Sequence, residues 1–132
     1  MEGELNMSIR LDHTVIYAKD HKKAAREFAD VMGVRVGRIA GPGYDFSAVQ
    51  VNNELSIYFM ERDQISLEQH MAFDVDGRTF DRILKQLKKQ DIAYGSSPFD
   101  RENMRTDHDF APRGLFWTNV DGCLFEIMTF GF

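Results

Sequence analysis

Along the chain, segments whose hydrophobic residues recur with the period of a β-strand are interrupted by segments with the period of an α-helix. Residues 9–18 alternate apolar and polar side chains and are rich in β-branched residues, which predicts a strand. Asp20 is suited to cap a helix, and the apolar positions after it recur at helical spacing until Gly33, a residue typical of a helix end. Three further strands are predicted at 35–40, 46–51 and 54–60. The first half of the chain therefore has the order β-α-β-β-β.

The second half repeats this order. A strand is predicted at 70–75, a helix follows Asp76-Gly77, and further strands are predicted at 92–95, 114–118 and 123–129. The segments before the two helices, LDHTVIYAKD and EQHMAFDVDG, each carry a histidine at the third position. Repetition of this kind indicates duplicated structural units. We predict an α+β fold built from two βαβββ repeats.

The repeats divide the chain into modules at about 9–62 and 67–130, within a single domain over 9–132 that follows an N-terminal tail at 1–8. With 132 residues, 43% of them hydrophobic, the chain is long enough for one domain with a core.

Charge and composition exclude some classes of function. Sixteen basic and twenty-one acidic residues give a net charge of -5, which argues against a nucleic-acid partner. No apolar stretch approaches the roughly 20 residues that a membrane span needs. The first residues, MEGELNM, do not resemble a secretory signal, and the single cysteine, Cys123, suits a reducing compartment. We expect a cytoplasmic protein with no membrane partner.

Strand alternation places two histidines and a glutamate together. His13 and His70 lie at equivalent positions of the repeats, each on the strand face opposite to the one that meets the helix. Glu126, in the last strand, can lie on the same face. Two imidazoles and one carboxylate form a site for a divalent metal with positions left open. The alternative is structural: hydrogen-bonded strand histidines, with Glu126 paired to an arginine such as Arg113.

The repeats differ most at 97–113, a long charged loop of a length that is often functional. We expect residues 99–112 to cover the mouth of this site as a mobile lid. Tyr17 and Arg113 are candidate substrate contacts, although Arg113 is equally an ordinary surface arginine. His108, inside the loop, is a candidate acid-base or lid residue, but we expect it to lie on the surface.

His21 opens the first helix, and we expect it to be a solvated surface residue as well. Cys123 follows the last turn of the chain, and we expect it to be an unreactive residue that only packs against its neighbours.

These residues, together with the ending RGLFWTNVDGCLFEIMT, resemble the vicinal oxygen chelate superfamily over about residues 9–130. That superfamily includes glyoxalase I, fosfomycin-resistance enzymes, bleomycin-resistance proteins and extradiol dioxygenases. The resemblance implies that the two βαβββ repeats form a cupped mixed sheet (glyoxalase-like) with a metal inside the cup, held by His13, His70 and Glu126. Because such proteins commonly build each cup from two chains, it also implies a homodimer whose site takes His13 from one chain and the other two ligands from its partner.

The resemblance extends to the last hairpin, although the Asp-Pro-Asp-Gly turn common in the family reads Asn119 to Gly122 here. A two-residue turn would pair Trp117 with Glu126, whereas a three-residue turn pairs Phe116 with it and places glycine at the last turn position. The resemblance favours the longer turn. We therefore expect Phe116 to line the cup and contact substrate, and Trp117 to pack under the helices.

The function implied by the resemblance is that of a metal-dependent enzyme, with lyase, transferase or dioxygenase-type chemistry on a small substrate whose oxygens chelate Mn, Fe, Zn or Ni. Glyoxalase I activity is disfavoured, because alignment of the two repeats places Ile57 at the position of Glu126. A fosfomycin enzyme is disfavoured because Val15 stands where that group has a threonine. The alternative is a non-enzymatic protein that sequesters an antibiotic in the cup.

Overall fold

The computed structural model describes residues 8–40 and 45–130, and over these residues the chain forms two helices and seven strands. Except for Ser8, the predicted tail lies outside the described residues. The elements are β1 (His13–Ala18), α1 (His21–Met32), β2 (Arg35–Ala40), β3 (Phe46–Gln50), β4 (Ser56–Glu61), β5 (His70–Asp74), α2 (Gly77–Lys89), β6 (Arg113–Thr118) and β7 (Leu124–Thr129).

The strands form two mixed sheets that correspond to the two halves of the sequence. The first sheet has the order β1-β4-β3-β2 and the second the order β5-β7-β6. In each sheet the strand before the helix pairs in parallel with the last strand of its half, β1 with β4 and β5 with β7. The predicted α+β fold with two related modules is therefore confirmed.

The segment at 92–95 is where the second module departs from the predicted β-α-β-β-β order. Gly95 forms only an isolated bridge with Phe116, so the second sheet has three strands among the described residues. The neighbouring backbone groups bond to the long loop instead: Met104 N–H donates to the Tyr94 carbonyl, and Ser96 N–H donates to the Asn103 side chain. The long loop thus bonds to the outer edge of this segment, the side that faces away from β6.

Helix α1 begins and ends where the sequence predicts. The Asp20 side chain accepts a hydrogen bond from Lys23 N–H, and Gly33 adopts the left-handed conformation at φ 75°. His21 is buried, with its Nδ1 2.8 Å from the Ser47 hydroxyl, so the expectation of a surface residue was wrong. The reason is helical spacing, because His21 lies one turn before Ala24 and Ala25 on the buried stripe.

The two modules share one hydrophobic core. The ring of Phe28 in α1 lies 5.5 Å from that of Phe59 in the first sheet, and 5.8 and 5.1 Å from those of Phe73 and Phe125 in the second. Hydrogen bonds add to this contact, since Gln69 bonds through its side chain to both backbone groups of Tyr17. Neither helix of the described chain is long and apolar enough to cross a membrane.

We predict that Phe28→Ala destabilises both modules together. Phe28 is 3% exposed and contacts rings of both sheets, so its removal should lower the free energy of unfolding by about 3–5 kcal/mol, the usual range for a buried phenylalanine. Urea denaturation followed by Trp117 fluorescence and circular dichroism should give one shared transition. Leu67→Ala, at a position 80% exposed, is the control and should change stability by no more than about 0.5 kcal/mol. Two separate transitions would contradict a shared core.

Candidate metal site

The hairpin between β6 and β7 fixes the orientation of the candidate site. Asn119 N–H donates to the Cys123 carbonyl across a turn of three residues, and Gly122 at its end has φ 81°. This register places Phe116 opposite Glu126, while Trp117 pairs with Phe125 on the core face and is 1% exposed. The predicted three-residue turn is confirmed. The role of Phe116 in substrate binding stays a prediction.

Glu126 is a buried carboxylate with a histidine on each oxygen. The residue is 7% exposed. His70 Nε2 lies 3.1 Å from Oε1, and His108 Nε2 lies 2.6 Å from Oε2. His70 reaches Glu126 from the neighbouring strand β5, in which Ala72 is the residue paired with Glu126. The two hydrogen bonds offset the cost of burying a charged group.

His108 is part of this site, and the expectation that it lies on the surface was wrong. Its side chain is 4% exposed, and its ring stacks on Phe116 with centroids 5.6 Å apart and planes at 8°. Its Nδ1 accepts hydrogen bonds from the backbone N–H groups of Phe110 and Ala111. The surrounding sequence, TDHDF, is polar and gives no signal of burial; the contact depends on how the long loop folds back onto the second sheet.

His13 lies apart from this pair, in the first sheet. Its ring stacks on Tyr58 at 4.4 Å, its Nδ1 is 2.8 Å from an Asp12 carboxylate oxygen, and its side chain is 44% exposed. It is not among the residues that line the cavity beside Glu126. One chain therefore brings together His70 and Glu126 without His13. Within residues 8–40 and 45–130, no three His, Cys, Asp or Glu side chains are arranged around a common point for a metal.

The strand register corrects the alignment of the two repeats by one residue. His13 pairs with Ser56 in the first sheet, and His70 pairs with Leu124 in the second. The equivalent of Glu126 is therefore Tyr58, and not Ile57, which is fully buried on the core face. The expectation that no carboxylate occupies this position holds with the corrected residue.

The other two predicted substrate contacts, Tyr17 and Arg113, lie in different surroundings. Tyr17 shares the face of β1 that carries His13, with the Arg62 guanidinium 4.6 Å from its ring centroid. Arg113 lies over the ring of Phe80 at 4.2 Å and bonds to Asp81 at 2.8 Å, on the side of helix α2. The structure does not bring Arg113 to the cavity beside Glu126, which favours the alternative that it is an ordinary surface arginine.

A cavity of about 580 Å³ opens beside Glu126. Its walls come from the second sheet and from both ends of the long loop, with aromatic and apolar side chains next to the carboxylate and the two histidines. Phe99 and Phe110 stand at its edge and are 97% and 85% exposed. The loop thus contributes to the mouth of the cavity, and its role as a mobile lid stays a prediction. The cavity has the size and apolar lining of a small-molecule site.

The chemistry of the donor set fits a divalent metal. Two ligand atoms that each lie about 2.1 Å from an ion, at angles of 90–109°, are about 3.0–3.4 Å apart, and His70 Nε2 and Glu126 Oε1 are separated by 3.1 Å. The carboxylate of Asp12 beside His13 Nδ1 leaves Nε2 of that ring as the coordinating atom, an arrangement common among metal-bound histidines.

The cysteine takes no part in this chemistry. Burial, with the nearby carboxylates of Asp121 and Glu68, raises the pKa of the Cys123 thiol to about 12. Because the thiolate is the nucleophilic and metal-binding form, Cys123 is inert at neutral pH, as the sequence predicts.

The chain is similar in structure to several known proteins. No family model matches the chain, and no curated protein matches it. Among solved structures, the oxidase ChaP-H2 is 30% identical and superimposes with a TM-score of 0.84, covering 93% of this chain and 94% of that one. A glyoxylase/bleomycin resistance protein/dioxygenase domain from Frankia sp. EAN1pec is 17% identical, with a TM-score of 0.70 over 90% of this chain and 95% of that one.

A third similar structure contains a metal. It is a mutant of the fosfomycin resistance protein FosX from Listeria monocytogenes, complexed with Mn(II) and 1S,2S-dihydroxypropylphosphonic acid. Its identity to this chain is 17%, with a TM-score of 0.70 and coverage of 92% of each chain. At this identity the likeness concerns the fold alone.

Proposed function

Because this chain belongs to the vicinal oxygen chelate superfamily, we propose that it is a metal-dependent enzyme that oxidises a small organic substrate with dioxygen as the oxidant. The observation that carries the proposal is the pair formed by His70 and Glu126, with ligand atoms 3.1 Å apart at the wall of an apolar cavity. ChaP-H2, which is named an oxidase, is 30% identical to this chain over nearly its whole length. This similarity favours oxidation over the lyase and transferase reactions of the superfamily.

The metal would be held by His13, His70 and Glu126. This set of two imidazoles and one carboxylate is compatible with Mn, Fe, Zn or Ni, and an oxidation favours the redox-active Fe or Mn. When bound, such an ion supplies Lewis-acid stabilisation of negative charge on adjacent substrate oxygens, together with redox chemistry. His70 is exposed enough, at 47% of its side chain, to meet a ligand that enters from solvent.

The apolar side chains around the cavity exclude water and bind the substrate body. Phe116 lies next to Glu126 in register, and Phe99 and Phe110 project from the loop at the mouth. We infer that the substrate has a flat, largely apolar body and presents its oxygens to the wall with Glu126. Tyr17 would contact the substrate only from the sheet that supplies His13.

The separation of His13 from the other two ligands supports a site shared between two copies of the chain. His13 is on β1 of the first sheet, whereas His70 and Glu126 are on the second. A homodimer with two-fold symmetry would form two identical sites, each with His13 from one copy. The lack of a membrane span or basic patch in the sequence suits a cytoplasmic enzyme of this kind.

A second candidate function is sequestration of an antibiotic without catalysis. The apolar cavity of about 580 Å³ favours it, because a binding protein needs only such a cavity. A bound metal distinguishes the two functions, since sequestration does not require the three ligands.

We predict one divalent ion per site in the purified protein, and its loss in His13→Ala, His70→Ala and Glu126→Gln. Each histidine change removes a coordinating nitrogen, and Glu126→Gln removes the negative charge of the carboxylate without changing the size of the side chain. Metal content is measured by inductively coupled plasma mass spectrometry after dialysis. Glu61→Gln, an exposed glutamate at the end of β4, is the matched control and should keep the metal. Metal content that is unchanged in all three variants would disprove the site.

We also predict that two variants, each unable to bind the metal alone, regain metal sites when they are mixed. In a dimer of His13→Ala with Glu126→Gln subunits, one of the two sites has all three ligands. An equal mixture that re-associates at random should therefore recover about one quarter of the metal sites. Differently tagged subunits allow the mixed dimers to be isolated before the metal is measured. Isolated mixed dimers that bind no metal would contradict the shared site.

A further inference from the structure

We propose that His108 is a positioning residue for Glu126: its Nε2–H holds Oε2 of the carboxylate, so that Oε1 alone faces His70 and the cavity. The inference rests on the proposed function for the metal that Oε1 would bind. It assigns a role to a histidine outside the three proposed ligands, in the long loop between the second helix and β6.

The hydrogen bonds around the His108 ring fix its tautomer. Nδ1 accepts from the backbone N–H groups of Phe110 and Ala111, at 3.0 and 3.1 Å. An atom that accepts two hydrogen bonds carries no proton, so the proton of the neutral ring is on Nε2. Nε2 therefore donates to Glu126 Oε2, and the separation of 2.6 Å is short for a hydrogen bond with a nitrogen donor.

Packing fixes the position of the same ring. One face stacks on Phe116, the ring of Phe110 packs edge-on with the two centroids 5.9 Å apart, and only 4% of the side chain is exposed. The space for the ring exists because residue 114 is glycine: a Cβ there would overlap the imidazole and lie 2.7 Å from its Cγ. Gly114 N–H also donates to the Thr106 carbonyl, which holds the loop against β6.

The loop is ordered by its own hydrogen bonds. The Asn103 side chain accepts from Ser96 N–H and from Arg105 N–H, and Arg105 forms two bonds with the Asp107 carboxylate. These hydrogen bonds hold residues 96–107 in place, and this segment positions His108 next to the carboxylate of Glu126. A loop with only a covering role would not need these contacts.

Holding one oxygen has a consequence for metal binding. With Oε2 bonded to His108, Glu126 offers a metal a single oxygen and occupies one coordination position. Two histidines and a carboxylate with one bound oxygen leave further positions open. A substrate that chelates through two adjacent oxygens needs two such positions, so the His108 bond suits the proposed chemistry.

The test compares His108→Gln, His108→Phe and Gly114→Ala with the wild type. Glutamine places an N–H donor near the position of Nε2, whereas phenylalanine keeps the stacking on Phe116 but has no donor. Gly114→Ala leaves every site residue unchanged and displaces the ring. We expect Mn²⁺ affinity, measured by calorimetry, to fall by about 10–100-fold in His108→Phe and Gly114→Ala, and by no more than about threefold in His108→Gln.

Melting temperatures of the four proteins control for unfolding. Equal Mn²⁺ affinity in the wild type and His108→Phe would overturn the positioning role, as would a loss in His108→Gln as large as that in His108→Phe. Complete loss of Mn²⁺ in both His108 variants would instead identify His108 as a ligand and would also overturn it.

A second measurement separates this inference from the proposed function. In metal-free protein labelled with ¹⁵N-histidine, nuclear magnetic resonance should detect the Nε2–H tautomer of His108, and Glu126→Gln should shift its Nε2 signal. Wild-type protein that binds no Mn²⁺ but gives these signals would refute the metal site and leave the hydrogen bond to Glu126 intact. An Nδ1–H tautomer would refute the positioning role whether or not metal binds.

Discussion

The buried carboxylate of Glu126 is the constraint on which the candidate site depends. A carboxylate at the centre of a buried strand is tolerated only when its oxygens are paired, and loss of one partner of a buried ion pair costs about 3–5 kcal/mol. Here one oxygen faces a half-exposed histidine at the cavity wall, and the other faces a histidine buried under the long loop. This asymmetry separates an oxygen available to a ligand from an oxygen held by the protein.

Much of the fold and part of the site follow from local patterns in the sequence. Period-two alternation placed His70 and Glu126 on one face, because strand side chains alternate whatever the strand packs against. Gly122 stands where a three-residue turn places its glycine, and the family resemblance favoured that turn, which made Phe116 and not Trp117 the neighbour of Glu126. The cap at Asp20 and the stop at Gly33 bounded the first helix in the same way.

The missed features depend on contacts between distant segments. His108 is buried because a loop of polar sequence folds back onto β6, and the space it fills is visible only as the missing side chain of Gly114. The side chain of Arg113 points away from the cavity, as strand alternation requires, and bonds to Asp81 of α2, 32 residues earlier in the chain. His21 was within reach of prediction, because its helical spacing from Ala24 and Ala25 already indicated burial.

Anomalous diffraction from crystals of the Mn²⁺-loaded protein tests the account most directly, because it locates the metal relative to both oxygens of Glu126. The account predicts an anomalous peak that marks a Mn²⁺ ion coordinated by His70, by Oε1 of Glu126 and by His13 of a second copy of the chain. Oε2 of Glu126 should still be hydrogen-bonded to His108. A peak bound by both oxygens of Glu126, with His108 displaced, would contradict it, as would a peak elsewhere in the molecule.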